Sequence, residues 1–424
     1  MQPGAGAGLL RRFVVLTALR WLPVGFVTPV AVLLPLSRGL TLGQVGITMA
    51  CYAATTAALE LPTGGVADAV GRRPVLVASS VVGIVVFGLM LVADGLALWV
   101  AVKLLAGAAR ALDSGPLEAW YVDEVRRLDP RADIRRGLSR AHAVEAGSLG
   151  LSAAAGGVLP VAFGGNLAAA VVAAGAAQAL HLVGVLALVA EHRPPDRRAL
   201  GRAAREVPSV IRSGLAVATG RGAVSWLLCG SVAWGLALGG VELLWQPRFT
   251  DLLGGRSDTG PLGVLMAAAF LAAAGGSALA QRLARVVGGG TGRSAMLCTL
   301  TQATVCVGLA AAGSFALAAP AFVVVYLLNG ARAPFHHELL HEHVAAAQRS
   351  TMLSAASLSL MAGGLVGSLT LPALAAAAGI PWTWALVGAV LATSALLYRS
   401  MPDRPAPAPV VRGVEAEPPP AAVG

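Results

Sequence analysis

Gly64-Gly65-Val66-Ala67-Asp68-Ala69-Val70-Gly71-Arg72-Arg73 joins two apolar runs, residues 44–66 and 74–93. Each run approaches the roughly 20 residues that cross a bilayer. The joint itself is short, polar and basic. Asp68 stands where a carboxylate can meet helix-end amides or the Arg72 guanidinium. Gly71 permits a tight reversal, and Gly64 permits the close approach of a neighbouring helix.

The same alternation runs outward in both directions. Turn punctuation between apolar runs marks spans at 13–36, 44–66, 74–93, 96–117, 140–163, 167–190, 223–247, 260–284, 294–313, 317–334, 351–376 and 380–399. Composition agrees: of 424 residues, 56% are hydrophobic and 12% charged, with mean hydropathy +0.74. An ordinary soluble domain carries about 25% charged residues, so soluble classes are excluded. The fold expected is an all-α polytopic membrane protein with twelve transmembrane helices. The 52 glycines suit it, because small residues let helix backbones approach in lipid. Gly363 and Gly367 make such a pair, read as internal packing rather than dimerisation.

Charge placement sets the orientation. Lys and Arg exceed Asp and Glu by 31 − 21 = 10. With the N-terminus inside, 24 of the 31 basic residues fall on cytoplasmic segments. Only Arg38, Arg248 and Arg256 fall outside, while Arg20, Lys103, Arg110 and Arg332 lie in the spans. The positive-inside rule therefore puts both termini in the cytoplasm, in a cell inner (plasma) membrane. Aromatic residues are only 5%, and no basic stretch interleaves with stacking aromatics, so a nucleic-acid partner is not expected. Cys51, Cys229, Cys298 and Cys306 lie in apolar stretches without CxxC spacing, which argues against a disulfide framework or zinc site. Leu9-Leu10-Arg11-Arg12-Phe13 looks like a twin-arginine signal, but the run behind it is too long and lacks a small-x-small cleavage site.

The longest connection divides the chain. The expected organisation is an N-terminal six-helix unit (1–190), a basic cytoplasmic linker (191–222), a C-terminal six-helix unit (223–400) and a disordered cytoplasmic tail (401–424).

The pattern G-x-x-x-D-x-x-G-R-R between spans 2 and 3 resembles the loop signature of the major facilitator superfamily. The similarity extends to the twelve spans, the cytoplasmic ends and the long central loop. It implies two six-helix bundles rocking about a central cavity by alternating access. It also implies an inner latch of Gly64, Asp68, Gly71, Arg72 and Arg73, with Glu118 or Asp123 as acidic partner. Glu60-Leu61-Pro62-Thr63-Gly64, Ser114-Gly115-Pro116-Leu117-Glu118-Ala119-Trp120 and Arg349-Ser350-Thr351-Met352-Leu353-Ser354 are similar to phrases of drug-efflux-like branches. The pattern departs elsewhere. Lys103-Leu104-Leu105-Ala106-Gly107 stands where proton-coupled exporters have Arg-x-x-Gln-Gly, and Ser152-Ala153 precede Gly156-Gly157 where the antiporter motif has Gly-Pro. Ala280 replaces the acid of the second, equivalent loop.

Ionisable groups within spans cost about 2.5–3.5 kcal/mol on insertion scales, so each needs a reason. Glu242, with Gln246 one turn later on the same face, is the leading candidate for coupling proton entry to substrate release. Its plain alternative is an acid facing outer water. Asp113 follows Arg110 by three residues and is expected to pair with it within one helix. Arg20 either snorkels or binds an anionic substrate group. Lys103 keeps a cation at the coupling position but loses the guanidinium fork. Gln178, His181 and Asn329 are lesser polar candidates. Trp234 and Trp245 offer aromatic surface, Trp245 otherwise anchoring the outer interface.

His337-Glu338-Leu339-Leu340-His341 matches the zinc-protease pattern H-E-x-x-H. A third ligand is wanting: Val344 and Ala347 occupy the metzincin positions, and Leu112-Asp113 precedes rather than follows. The cluster from His336 to His343 is therefore expected to be a solvated helix end. No P-loop occurs. The sequence thus points to a secondary transporter, not an enzyme, exporting a small amphiphilic molecule in exchange for protons. A narrow-substrate carrier is the alternative and an intramembrane metalloprotease the remote one. No cofactor, no metal, a small-molecule substrate, the lipid bilayer and a monomeric state complete the expectation.

Overall fold

A computed structural model of the chain describes residues 5–191, 222–255, 258–288, 290–344 and 349–401. Residues 192–221 of the linker, Arg256 and residues 402–424 of the tail lie outside the described residues. Among the described residues there is no strand, and twelve helices are long and apolar enough to cross a membrane.

The first bundle holds α1 (Ala5–Val27), a short α2 (Leu33–Ser37), α3 (Leu42–Val70), α4 (Arg72–Val92), α5 (Gly95–Asp113), α6 (Pro116–Leu128), α7 (Arg135–Ala162) and α8 (Ala168–Leu188). The second holds α9 (Ala223–Leu252), α10 (Gly260–Val287), α11 (Thr291–Ala311), α12 (Phe315–Glu342), α13 (Arg349–Ala378) and α14 (Ile380–Ala395). Successive turns alternate between two ends, called here the Arg72 end and the Arg38 end.

Each end is built by local chemistry. At the Arg38 end, Thr41 accepts from the Gln44 amide while the Gln44 side chain accepts from the Thr41 amide, a capping box that starts α3. Arg38 donates to the carbonyls of Met90, Leu91 and Ala93 at 2.8–2.9 Å, which satisfies the C-terminus of α4. In the second bundle Arg248 does the same for α11, donating to Ala312 O at 2.8 Å. Trp245, Phe249, Phe322 and Tyr326 pack edge-to-face or tilted with centroids 5.0–6.4 Å apart and tie α9 to α12. Trp245 is thus buried packing, neither an interface anchor nor ligand surface.

Two differences from the sequence reading have clear causes. The first span is not continuous to residue 36: Thr28–Val30 form a 3-10 turn that contains Pro29, and α2 follows around Pro35. A proline donates no amide hydrogen, so the helix breaks there. The fourth span is two helices, broken at Ser114-Gly115-Pro116. Gly363 and Gly367 face Val232 and Leu236 of α9, which makes them internal packing residues.

The bundles meet along α3 with α13 and α7 with α10. A Cβ on Gly157 would lie 2.6 Å from both Gly263 Cα and Thr259 O, so backbone touches backbone at that seam. Thr259 Oγ1 donates to Gly157 O at 2.6 Å across the same seam. Gly46 of α3 meets Ser368 and Pro372 of α13. All these residues lie toward the Arg38 end, which is where the bundles are closed together.

Candidate functional site

A cavity of about 360 Å³ lies among α1, α3, α4, α5 and α8, beneath the closed Arg38 end. Its lining includes the chargeable residues Arg20, Lys103, Arg110, Asp113 and His181, the phenol of Tyr52, and Glu242, the last supplied by α9 of the second bundle. Five of the six residues proposed from sequence for transport or coupling therefore share one cavity. The heptad spacing explains part of this: Lys103 and Arg110 are seven residues apart on α5, so they share a face about 10 Å apart.

Asp113 pairs with Arg20 of α1, not with Arg110. Arg20 Nε donates to Asp113 Oδ2 at 2.5 Å, and Nη2 donates to the Asp113 carbonyl at 2.9 Å. The fork thus grips side chain and backbone where α5 ends, which three-residue spacing within α5 could not provide. The Arg110 guanidinium carbon instead lies 5.6 Å from the Trp21 ring centroid, with that of Arg20 at 5.3 Å from the same ring. Trp21 and Tyr52 were not anticipated as site residues; nothing in the apolar pattern separates them from lipid-facing aromatics.

Glu242 is exposed within the cavity rather than toward outer water, and no cation lies within ion-pair distance of it among the described residues. Gln246, expected to act with it, does something else. Its Oε1 accepts from the Val32 and Leu33 amides at 2.9 and 3.3 Å, and its Nε2 donates to Thr28 O at 2.9 Å. These are the backbone groups freed by the break in the first span. With no water in an apolar layer, such groups must be satisfied internally. Gln246 is 2% exposed and pins α9 of one bundle into the broken helix of the other.

His181 lies in the cavity wall with Nδ1 3.2 Å from Ser80 Oγ, and Gln178 lines the cavity beside it. In the second bundle Arg332 is buried against Trp234, its guanidinium carbon 4.1 Å from the ring centroid. Arg332 Nη1 donates to Tyr398 Oη at 3.0 Å, and Trp234 Nε1 donates to Asn329 Oδ1 at 2.5 Å. An arginine from the fourth span of each bundle thus lies on a tryptophan from its first span.

The Gly71 turn lies at the other end. Arg72 Nη1 is 2.9 Å from Asp68 Oδ1 and Nη2 is 3.5 Å from Asp123 Oδ2, so of Glu118 and Asp123 the latter is the one beside Arg72. Glu118 is exposed and makes no ion pair with Arg72 or Arg73 among the described residues. The helix-end amides expected to meet Asp68 are taken by Glu191, missed in the sequence because it opens the linker. Its carboxylate accepts from the Arg72 and Arg73 amides at 2.6 and 3.2 Å, capping α4. Gly71 has φ +107°, and a Cβ there would strike that carboxylate. Every partner named here belongs to the first bundle.

His337, Glu338 and His341 are exposed on α12, while His336 is buried and bonded to Ser231 and Tyr398 at 2.9 and 2.8 Å. Among the described residues no group of three or more His, Cys, Asp or Glu is placed to hold a metal.

No protein-family model and no curated protein sequence matches the chain. Solved structures do. A point mutant of the nucleoside transporter NupG superposes with TM-score 0.76 at 12% identity, covering 93% of this chain and 99% of that one. The chain has the major facilitator fold. A POT family transporter in complex with 5-aminolevulinic acid gives 0.71 at 13% identity over 92% of this chain and 94% of that one. The human organic anion transporter MFSD10 gives 0.65 at 15% identity over 94% and 100%. None of these is described as a drug exporter, and at such identity the likeness is one of fold.

Proposed function

We propose that this chain is a secondary transporter that carries a small organic solute by alternating access, coupled to protons through Glu242. The observation that carries the reading is the cavity: ionisable groups that are costly inside a bilayer converge on one space, lined by the first bundle and by Glu242 of the second, beneath the closed end. Transporter structures with the same fold support it. The positive-inside pattern makes the Arg72 end cytoplasmic, so the cavity would load from the cytoplasm, and efflux-like phrases in spans 2, 4 and 11 favour export. Glu242 lies one turn from Gln246, so any movement that frees the Gln246 pin also moves the acid relative to water. The second reading is a narrow-substrate nutrient carrier, favoured by neighbours named for nucleosides and by a POT complex with 5-aminolevulinic acid.

Proteoliposomes with an imposed pH gradient separate these readings. Substrate addition should dissipate the gradient through wild type at least tenfold faster than through Glu242→Gln. Equal proton flux through both proteins removes Glu242 from coupling, and solute flux without proton flux favours the uncoupled carrier.

A further inference from the structure

The charges lining the cavity do not cancel. Arg20 and Asp113 neutralise one another. Lys103 and Arg110 have no carboxylate within ion-pair distance among the described residues, and both line the open space. Against these two free cations stands one free acid, Glu242, supplied from the opposite bundle. A lone cation in a low-dielectric wall is retained only where something compensates it. Beside the neutral polar groups Thr28, Tyr52, Ser79 and Gln178, the lining has an apolar wall: Val24, Val27, Met49, Val86, Phe87 and Met90 face the same volume.

Resting on the transporter reading, we propose that the solute is an organic monoanion: a carboxylate held by Lys103 and Arg110, with an apolar body against the Phe87 and Met90 wall. One negative charge is what the site lacks when Glu242 is ionised. The two cations lie about 10 Å apart on one helix face, so a carboxylate can be met first by Arg110, nearer the Arg72 end, and then by Lys103 deeper in. Arg110 is already backed by the Trp21 ring, which orients its planar fork without consuming its charge. A cationic solute would meet two like charges before reaching Glu242.

The test compares probes of one shape and different charge on the full chain in detergent. 2-Naphthoate, 2-naphthamide and 2-naphthyl-trimethylammonium are titrated by calorimetry at low ionic strength. The expected result is saturable naphthoate binding, at least tenfold tighter than either relative. Lys103→Gln and Arg110→Gln should each weaken naphthoate about tenfold, Lys103→Arg should retain it, and Glu242→Gln should leave it equal or tighter. Absence of naphthoate binding, equal binding of the amide, or preference for the ammonium lost in Glu242→Gln would each overturn the proposal. The wild-type comparison decides the matter even if a variant fails to fold. Counterflow of the same probes in liposomes keeps the two claims apart. Flux of the ammonium alone overturns the anion and keeps the transporter, whereas naphthoate binding without flux of any probe keeps the anion site and overturns the transporter.

Discussion

At the scale of single residues, the hydropathy pattern marks which side chains need a reason to be where they are, and not what the reason is. Arg20 and Asp113 were both legible as charges in apolar runs. Their pairing was not, because the partners are 93 residues apart on different helices and the nearer Arg110 offered an easier match. Glu242 was legible for the same reason, and whether it faced cavity or outer water depended on packing that spacing does not encode. The pair makes a specific prediction. Arg20 and Asp113 side chains are 9% and 18% exposed, so removing one leaves a largely buried charge alone. Asp113→Leu should cost about 3 kcal/mol of stability and lower the melting temperature in detergent. Arg20→Met combined with Asp113→Leu should recover most of the loss, since neither charge then remains. If the double variant is as unstable as the sum of the singles, the two residues are not a pair.

At the scale of elements, helix number and type were readable because apolar runs of bilayer length admit little else. Helix ends were less so: α12 overruns its predicted end by two turns, to Glu342, because an amphipathic continuation beyond the membrane carries no hydropathy signal. The turn between α3 and α4 shows the same division. Its glycine and its arginine were assigned from the motif, yet the group that caps α4, Glu191, arrives from the end of α8. With the amides taken by that cap, Asp68 holds Arg72 instead. Asp68 is 41% exposed, where an ion pair contributes under about 1 kcal/mol. The predicted consequence is a kinetic variant. Asp68→Asn should insert and fold normally, with melting within about 2 °C of wild type, and should lower turnover several-fold. Glu191→Gln, which weakens a charge-assisted helix cap, should show the opposite emphasis, a measurable loss of stability. Unchanged solute flux by Asp68→Asn would remove the latch from the mechanism.

For the whole molecule, the two halves repeat each other in chemistry as well as in helix count. Arg38 and Arg248 cap equivalent helices, and Arg110 with Trp21 mirrors Arg332 with Trp234. The sequence concealed the repeat because only isolated residues carry it. The halves also differ: Asp113 pairs with Arg20 in the first, and its counterpart three residues beyond Arg332 is Phe335. The proposed alternating access requires the bundles to part at one end and close at the other, so on that reading the seam at Arg38 opens. Gly157 and Gly263 hold that seam at backbone contact, and a side chain there acts as a wedge. Gly157→Leu should therefore shift the population toward opening at the Arg38 end without unfolding either bundle. A Met49→Cys reporter in the cavity, with Cys51, Cys229, Cys298 and Cys306 replaced by serine, reads this directly. A membrane-impermeant thiol reagent on the Arg38 side should label the reporter several-fold faster in the wedge variant than in its parent. Equal labelling rates would mean that the Gly157 seam does not hold the cavity shut, and the closure would have to be sought at Gln246 and the broken first span.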